Sequence, residues 1–256
     1  MQDQTAEPAH RGETEDRFLG GRLSLRQPKP GYRAGADAAL LAAAVQAGAD
    51  ERVIEAGCGA GAALLSAALR NPRARFTGVE RDPVALALAQ ANIAANGLAA
   101  QVEALGGDVA AGFPVLGLGR FDAAMANPPF FDDPTALRAP HPSRAGAWIA
   151  DDGLDAWTRF LLASVKDGGR IVVIHRADRL ADLLALLGGK AGSFRIRPVQ
   201  PFADAPAKRV LVQARRGGKA PLVLLPALVL HERGAGAKHT AEAEAILQGE
   251  SGLGWG

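Results

Sequence analysis

The sequence has a single cysteine, no long apolar run and no excess of charge of either sign, and each shortage narrows the field. Cys58 cannot form an internal disulfide, and one thiol cannot build a cysteine-rich zinc site. No metal is therefore expected, and a reducing, cytoplasmic setting fits. No apolar stretch reaches the roughly 18 to 20 residues that a membrane helix needs. Residues Met1 to Asp16 are polar and charged, without the apolar centre of a signal peptide, and read as a flexible tail. The 29 Lys and Arg residues nearly balance the 27 Asp and Glu residues, for a formal charge of +2. Such a balance neither demands nor excludes a nucleic-acid partner, because one face can be basic while the rest is not. There is no fixed-period repeat.

What is present is a chain of 256 residues, 48% of them apolar, enough to bury the core of one large α/β domain. Phe18 to Arg26 alternates and suggests a short hairpin or edge strand. Gln27 to Gly31 is a turn by composition. Asp37 can cap a helix from Ala38 to about Ala47, ended by Gly48. Strands are then expected at Arg52–Ala56, Arg75–Glu80, Gln101–Leu105, Phe121–Ala126 and Arg170–His175. Helices are expected after Gly61, over Val84–Ala95 behind the Asp82-Pro83 start signal, over Leu154–Lys166 and over Arg179–Leu187. The last strands, Phe194–Gln200 and Arg209–Ala214, lack a helix between them and should pair as an antiparallel hairpin. Leu222–Leu230 offers a further strand and Thr240–Gln248 a short terminal helix. The implied fold is a Rossmann-like, doubly wound, mostly parallel sheet with one antiparallel strand near its edge. Residues 17–256 read as one domain, with an extension over 17–48, a core over 49–216 and an appendage over 217–256.

The first core strand runs into Glu55-Ala56-Gly57-Cys58-Gly59-Ala60-Gly61. Glycines here let the backbone turn sharply and let a ligand approach closely. A dinucleotide site is one reading of such a turn. It needs a pyrophosphate at the helix N-terminus, which the Glu55 carboxylate would oppose. The methionine ammonium of S-adenosylmethionine suits Glu55 better. Glu80, followed by Arg81, ends the next strand, where a carboxylate can accept both hydroxyls of a ribose. Asp108, behind Gly106-Gly107, can accept from an adenine amino group or satisfy its own turn.

The fourth core strand ends in Asn127-Pro128-Pro129-Phe130. In open α/β sheets ligands bind beyond the carboxyl ends of the strands, so Asn127 falls beside the cofactor as well as the acceptor. An exocyclic amine is a poor nucleophile, because its lone pair is delocalised. Accepting its two N–H groups with the Asn127 side-chain oxygen and the Pro128 carbonyl favours a tetrahedral nitrogen and opposes the charge that develops during methyl transfer. The prolines fix φ and hold that carbonyl outward, and Phe130 can stack on a flat acceptor.

These motifs, with Gln27-Pro28-Lys29-Pro30-Gly31-Tyr32-Arg33, Gly35-Ala36-Asp37-Ala38, Pro206-Ala207-Lys208-Arg209-Val210 and Leu228-Val229-Leu230-His231-Glu232, resemble the bacterial tRNA(Val) adenine-N6-methyltransferase family. The resemblance covers most of the chain after the tail. It implies a class I methyltransferase that uses S-adenosylmethionine on an adenosine N6 next to the anticodon. It also puts Asp37 over the methionine part of the cofactor. The Asn-Pro-Pro-Phe motif is shared with DNA adenine, ribosomal RNA guanine and release-factor glutamine methyltransferases, so a protein amide or another nucleic acid remains an alternative acceptor. Only the N- and C-terminal matches favour tRNA.

On the substrate side, Lys190, Arg195, Arg197, Lys208, Arg209, Arg215, Arg216 and Lys219 form a basic run broken only by Asp204. A phosphate backbone would be drawn to it. The Pro-rich stretch Asp132–Asp151 reads as a lid carrying Arg138, His141, Arg144 and Trp148. Arg138, Arg144, Lys208 and Arg209 are the candidate substrate contacts. Trp157 and Trp255 read as packing residues.

Overall fold

Neighbouring residues of the central strands point into two different apolar layers. Val53, Ala123, Met125, Val172 and Leu211 face one layer; Ile54, Ala124, Ala126, Val173 and Val212 face the other. A sheet covered on both faces needs apolar side chains at every position, and these strands are continuous apolar runs for that reason. The computed structural model describes residues 13–28, 35–129, 153–234 and 238–256.

The elements are strands β1 (Glu13–Phe18) and β2 (Leu23–Pro28), helix α1 (Ala36–Ala44), β3 (Arg52–Ala56), α2 (Ala62–Arg70), β4 (Arg75–Glu80), α3 (Pro83–Ala95), β5 (Val102–Gly106) and β6 (Phe121–Ala126). Beyond the undescribed stretch come α4 (Leu154–Ser164), β7 (Val165–Arg176), α5 (Leu180–Gly188), β8 (Ala191–Gln200), β9 (Arg209–Arg216), the two-residue strands β10 (Val223–Leu224) and β11 (Leu228–Val229), and α6 (Ala241–Leu247). The main sheet runs β10-β8-β9-β7-β6-β3-β4-β5, with β11 also on β8. All pairs are parallel except the two made by β9, which is antiparallel to both β7 and β8. The Rossmann-like, mostly parallel fold is therefore as expected. The antiparallel strand is β9, which lies between β7 and β8 near one edge, with the two-residue β10 and β11 outside β8.

Several boundaries differ from those the sequence suggests. Strand β1 starts at Glu13, inside the stretch expected to be a tail, because Glu13 to Asp16 pair with Leu25 to Pro28. Helix α1 is capped by Gly35 and not by Asp37, which lies in its first turn. Helix α4 stops at Ser164, because Val165 already pairs with Phe121 and opens β7. Arg179 belongs to a short 3-10 turn before α5.

The N-terminal hairpin docks on α3 through two asparagines one turn apart. Asn92 accepts from Arg26 N–H (2.9 Å) and donates to Arg26 O (3.0 Å); Asn96 does the same with Ser24 N–H (3.0 Å) and Ser24 O (2.7 Å). Asn92 also donates to Ala60 O (2.9 Å), which ties the hairpin to the glycine turn. At the other terminus, Leu253 N–H and the Trp255 indole donate to Ala43 O and Ala44 O, so the chain end caps α1.

Candidate active site

Register assembles the site. Ala56 pairs with Val79 on one side and with Ala126 on the other, so the next residues out, Glu80, Gly57 and Asn127, form a row across three adjacent strands at the carboxyl edge. Two strand steps separate Glu80 from Asn127, about 10 Å.

Glu55 points into the layer shared with α2 and is 3% exposed. Burial pushes its carboxyl well above the ordinary range, the Glu80 charge pushes the same way, and only the Leu64 amide near the start of α2 opposes them. Its Oε2 is buried and has no hydrogen-bond partner among the described residues. A buried carboxylate oxygen is costly unless something cationic or protic meets it. Glu80 is half-buried and clips the turn: Gly59 N–H donates to its Oε2 (2.9 Å) and Asp82 N–H to its Oε1 (2.8 Å). A carboxylate offers about four acceptor sites, so about two remain for ribose hydroxyls.

Two glycines of the turn are needed for different reasons. Gly59 has φ +55°, and a Cβ there would enter open space, leaving a cradle beside the backbone. Gly57 has φ +63°, and a Cβ there would collide with the Trp157 ring. The half-buried indole on α4 therefore lies directly against the turn. Trp157 packs, as its sequence context suggests, but its partners include the glycine turn, a contact across a hundred residues that nothing local signals. Gly57→Ala would add left-handed strain of about 1–2 kcal/mol and displace the indole. The expected result is a melting temperature lower by roughly 4–8 °C, for a total loss of about 2 kcal/mol, with a shift in tryptophan emission.

The orphaned Glu55 oxygen, the open cradle at Gly59 and the spare acceptors of Glu80 fit an ammonium, a backbone-hugging chain and a ribose in that order. These are the parts of S-adenosylmethionine. The Cys58 thiol is turned into the core against Gly78, where burial and the charges of Glu55 and Glu80 push it well up. What Cys58 can offer a ligand is backbone. Gly61 is the left-handed N-cap of α2. Asp108 is exposed and accepts from Ala110 N–H (2.8 Å), so it does satisfy its own turn while keeping one oxygen to spare. Arg81 is exposed.

Asn127 and Pro129 are half-buried and Pro128 is buried at the end of β6. Phe130, Arg138, His141, Arg144 and Trp148 lie outside the described residues. Asp37 is brought to Arg209 (2.8 Å), a pairing of two candidate residues 172 positions apart that spacing could not reveal.

The basic run does not share one surface. Ala191 pairs with Arg216 and Val199 with Arg209, so the hairpin separates its cations by the length of a strand. Lys190 and Arg216 line a cavity of about 490 Å³ at the amino edge, together with Arg120 and Arg159. Arg195 and Arg197 bond the carbonyls of Gly256 and Gly254 in the chain end. Of the run, only Lys208 and Arg209 stand at the carboxyl edge with Asn127.

The chain is similar to several known proteins. Residues 34–139 fit the methyltransferase small domain. A Porphyromonas gingivalis protein named tRNA1(Val) (adenine(37)-N6)-methyltransferase is 32% identical over 211 residues, which cover 78% of this chain and 81% of that protein. A Moorella thermoacetica release factor glutamine methyltransferase is 35% identical over 157 residues, covering 58% of this chain and 54% of that protein. A solved structure from Agrobacterium tumefaciens, described as a predicted O-methyltransferase, superposes with a TM-score of 0.71 at 27% identity, covering 85% of this chain and 98% of that one.

Proposed function

The chain belongs to the tRNA1(Val) (adenine(37)-N6)-methyltransferase family and is an S-adenosylmethionine-dependent methyltransferase, and from that premise we propose that it methylates N6 of an adenosine in tRNA. The row Glu80, Gly57 and Asn127, with the orphaned Glu55 oxygen beside it, supports methyl transfer to an amino nitrogen, and the likeness to the Porphyromonas gingivalis tRNA enzyme carries the choice of tRNA. Glu55 would hold the methionine ammonium, Gly57, Gly59 and Gly61 the adjoining chain, Glu80 the ribose and Asp108 the adenine. Asp37, paired with Arg209, would border the methionine end. When bound, the cofactor supplies an electrophilic methyl group on a sulfonium sulfur.

Asn127 Oδ1 and the Pro128 carbonyl would accept the two N–H groups of the acceptor, turning the nitrogen lone pair toward the methyl carbon. Held this way, the acceptor nitrogen would take the methyl group that the cofactor supplies. The amine then loses its extra proton to water, so no general base is required. A hydroxyl acceptor would need a group to take its proton, and Asn127 and Pro128 offer none. Phe130 would stack on the base, with Arg138, Arg144 and Lys208 toward the phosphates.

A glutamine side-chain amide in a protein presents the same NH2 group. That second reading is favoured by the likeness to the release factor enzyme. Methyl-labelled cofactor offered to unmodified bulk tRNA and to bulk protein separates the two. Label is expected in tRNA, and nucleoside mass spectrometry of single purified tRNAs should show N6-methyladenosine. Label confined to protein would overturn the tRNA reading.

A further inference from the structure

Strand β11 runs parallel to β8, and His231 N–H continues the ladder by donating to Pro201 O (2.9 Å). The loop after β8 and the loop after β11 therefore leave the sheet side by side, at the same carboxyl edge as Asn127. They bring four planar side chains into one contiguous row. The Arg233 guanidinium lies 4.2 Å above the Phe202 ring. The Phe202 and His231 rings are 5.6 Å apart, tilted at 47°, and the His231 and His239 rings are stacked at 4.9 Å and 26°. From β6 to β8 is three strand steps, on the order of 15 Å.

We propose that Phe202, Arg233, His231 and His239 form a platform on which unpaired bases of the RNA stack beside the base being methylated. This rests on the tRNA reading above. Sequence-selective RNA binding favours unpaired bases laid on aromatic rings and guanidinium planes, and an adenosine accepted at Asn127 must itself be unstacked. The chemistry of the cluster suits that use better than packing. Arg233 and Asp204 are 64% and 67% exposed, and the Nε of Arg233 is 3.3 Å from the Asp204 carboxylate; an ion pair that open and that long restrains the guanidinium little. The outer face of the guanidinium is left for a further flat group. His231 Nδ1 is 2.6 Å from Lys238 O, which fixes the ring between Phe202 and His239. Lys208 lies exposed on the loop that follows Phe202 and supplies positive charge between the platform and Asn127.

The test uses the full chain with an unmodified tRNA transcript that the parent methylates. Arg233→Ala and Phe202→Leu should each raise the KM for RNA about tenfold, the loss of roughly one base stack. The kcat, the affinity for S-adenosylhomocysteine and the melting temperature should stay at parent values. Arg233→Lys should fail to restore binding, because it keeps the charge and loses the plane, whereas Phe202→Trp should restore it. Folded Arg233→Ala with an RNA KM within about twofold of the parent would overturn the platform while leaving the tRNA reading intact. A parent that labels protein and no RNA would overturn both.

Discussion

Asn127→Ala is expected to lower kcat by about 100- to 1,000-fold, the usual effect of removing one preorganised group aimed at developing charge. Affinity for S-adenosylhomocysteine should stay close to the parent value. The side chain sits at the β6 end of the row, about two strand steps from Glu80, so its loss would leave in place the acidic and glycine contacts proposed for the cofactor. The KM for RNA should change far less than kcat, because the Asn127 oxygen gains most when the nitrogen becomes tetrahedral and positive. Single-turnover transfer of a labelled methyl group, with calorimetry on the same samples, separates these quantities. Full activity in the variant would remove the amine-acceptor role. A parallel loss of cofactor affinity would move Asn127 to the cofactor side of the site.

What the sequence reveals of this site depends on the range of each contact. The glycine turn, Glu55 just before it and Glu80 at the next strand end are local features whose spacing follows from a strand, a turn and a helix. Doubly apolar runs such as Val53-Ile54 and Ala123–Ala126 mark buried parallel strands for the same reason. Two features were beyond reach. The Trp157 contact with Gly57 and the Asp37–Arg209 pair are set by how α4 and β9 pack on the sheet, and neither segment carries a local sign of it. The basic run failed differently. A hairpin puts residues close in sequence at opposite ends of a sheet, so clustering along the chain does not become clustering on a surface. Phe202, His231 and Arg233 show the converse, being far apart in sequence and joined by the parallel pairing of β11 with β8.

Glu55→Gln should move stability and cofactor binding in opposite directions. Burial, then the Glu80 charge, raises the Glu55 pKa well above that of an exposed carboxyl. The folded chain thus holds this proton more tightly than the unfolded chain does. Its stabilising effect is complete below the unfolded pKa and is lost as pH rises through the raised folded value. Above that window the folded state carries an ionised carboxylate that water no longer solvates. Glutamine removes the charge while keeping the shape. The ligand-free variant should therefore melt higher than the parent at neutral to alkaline pH, and the difference should shrink as pH falls toward the ordinary carboxylate range. Binding should respond the other way. An ammonium beside Glu55 stabilises the ionised form, so within the window the parent should release a proton on binding S-adenosylhomocysteine. Calorimetry in buffers of different ionisation enthalpy would read that proton directly. The variant should release none and bind about ten- to a hundredfold more weakly, as expected for losing a hydrogen bond between charged groups. A variant that melts with the parent at every pH and binds the ligand equally well would place the ammonium elsewhere. The buried oxygen of Glu55 would then have to be satisfied by some other group.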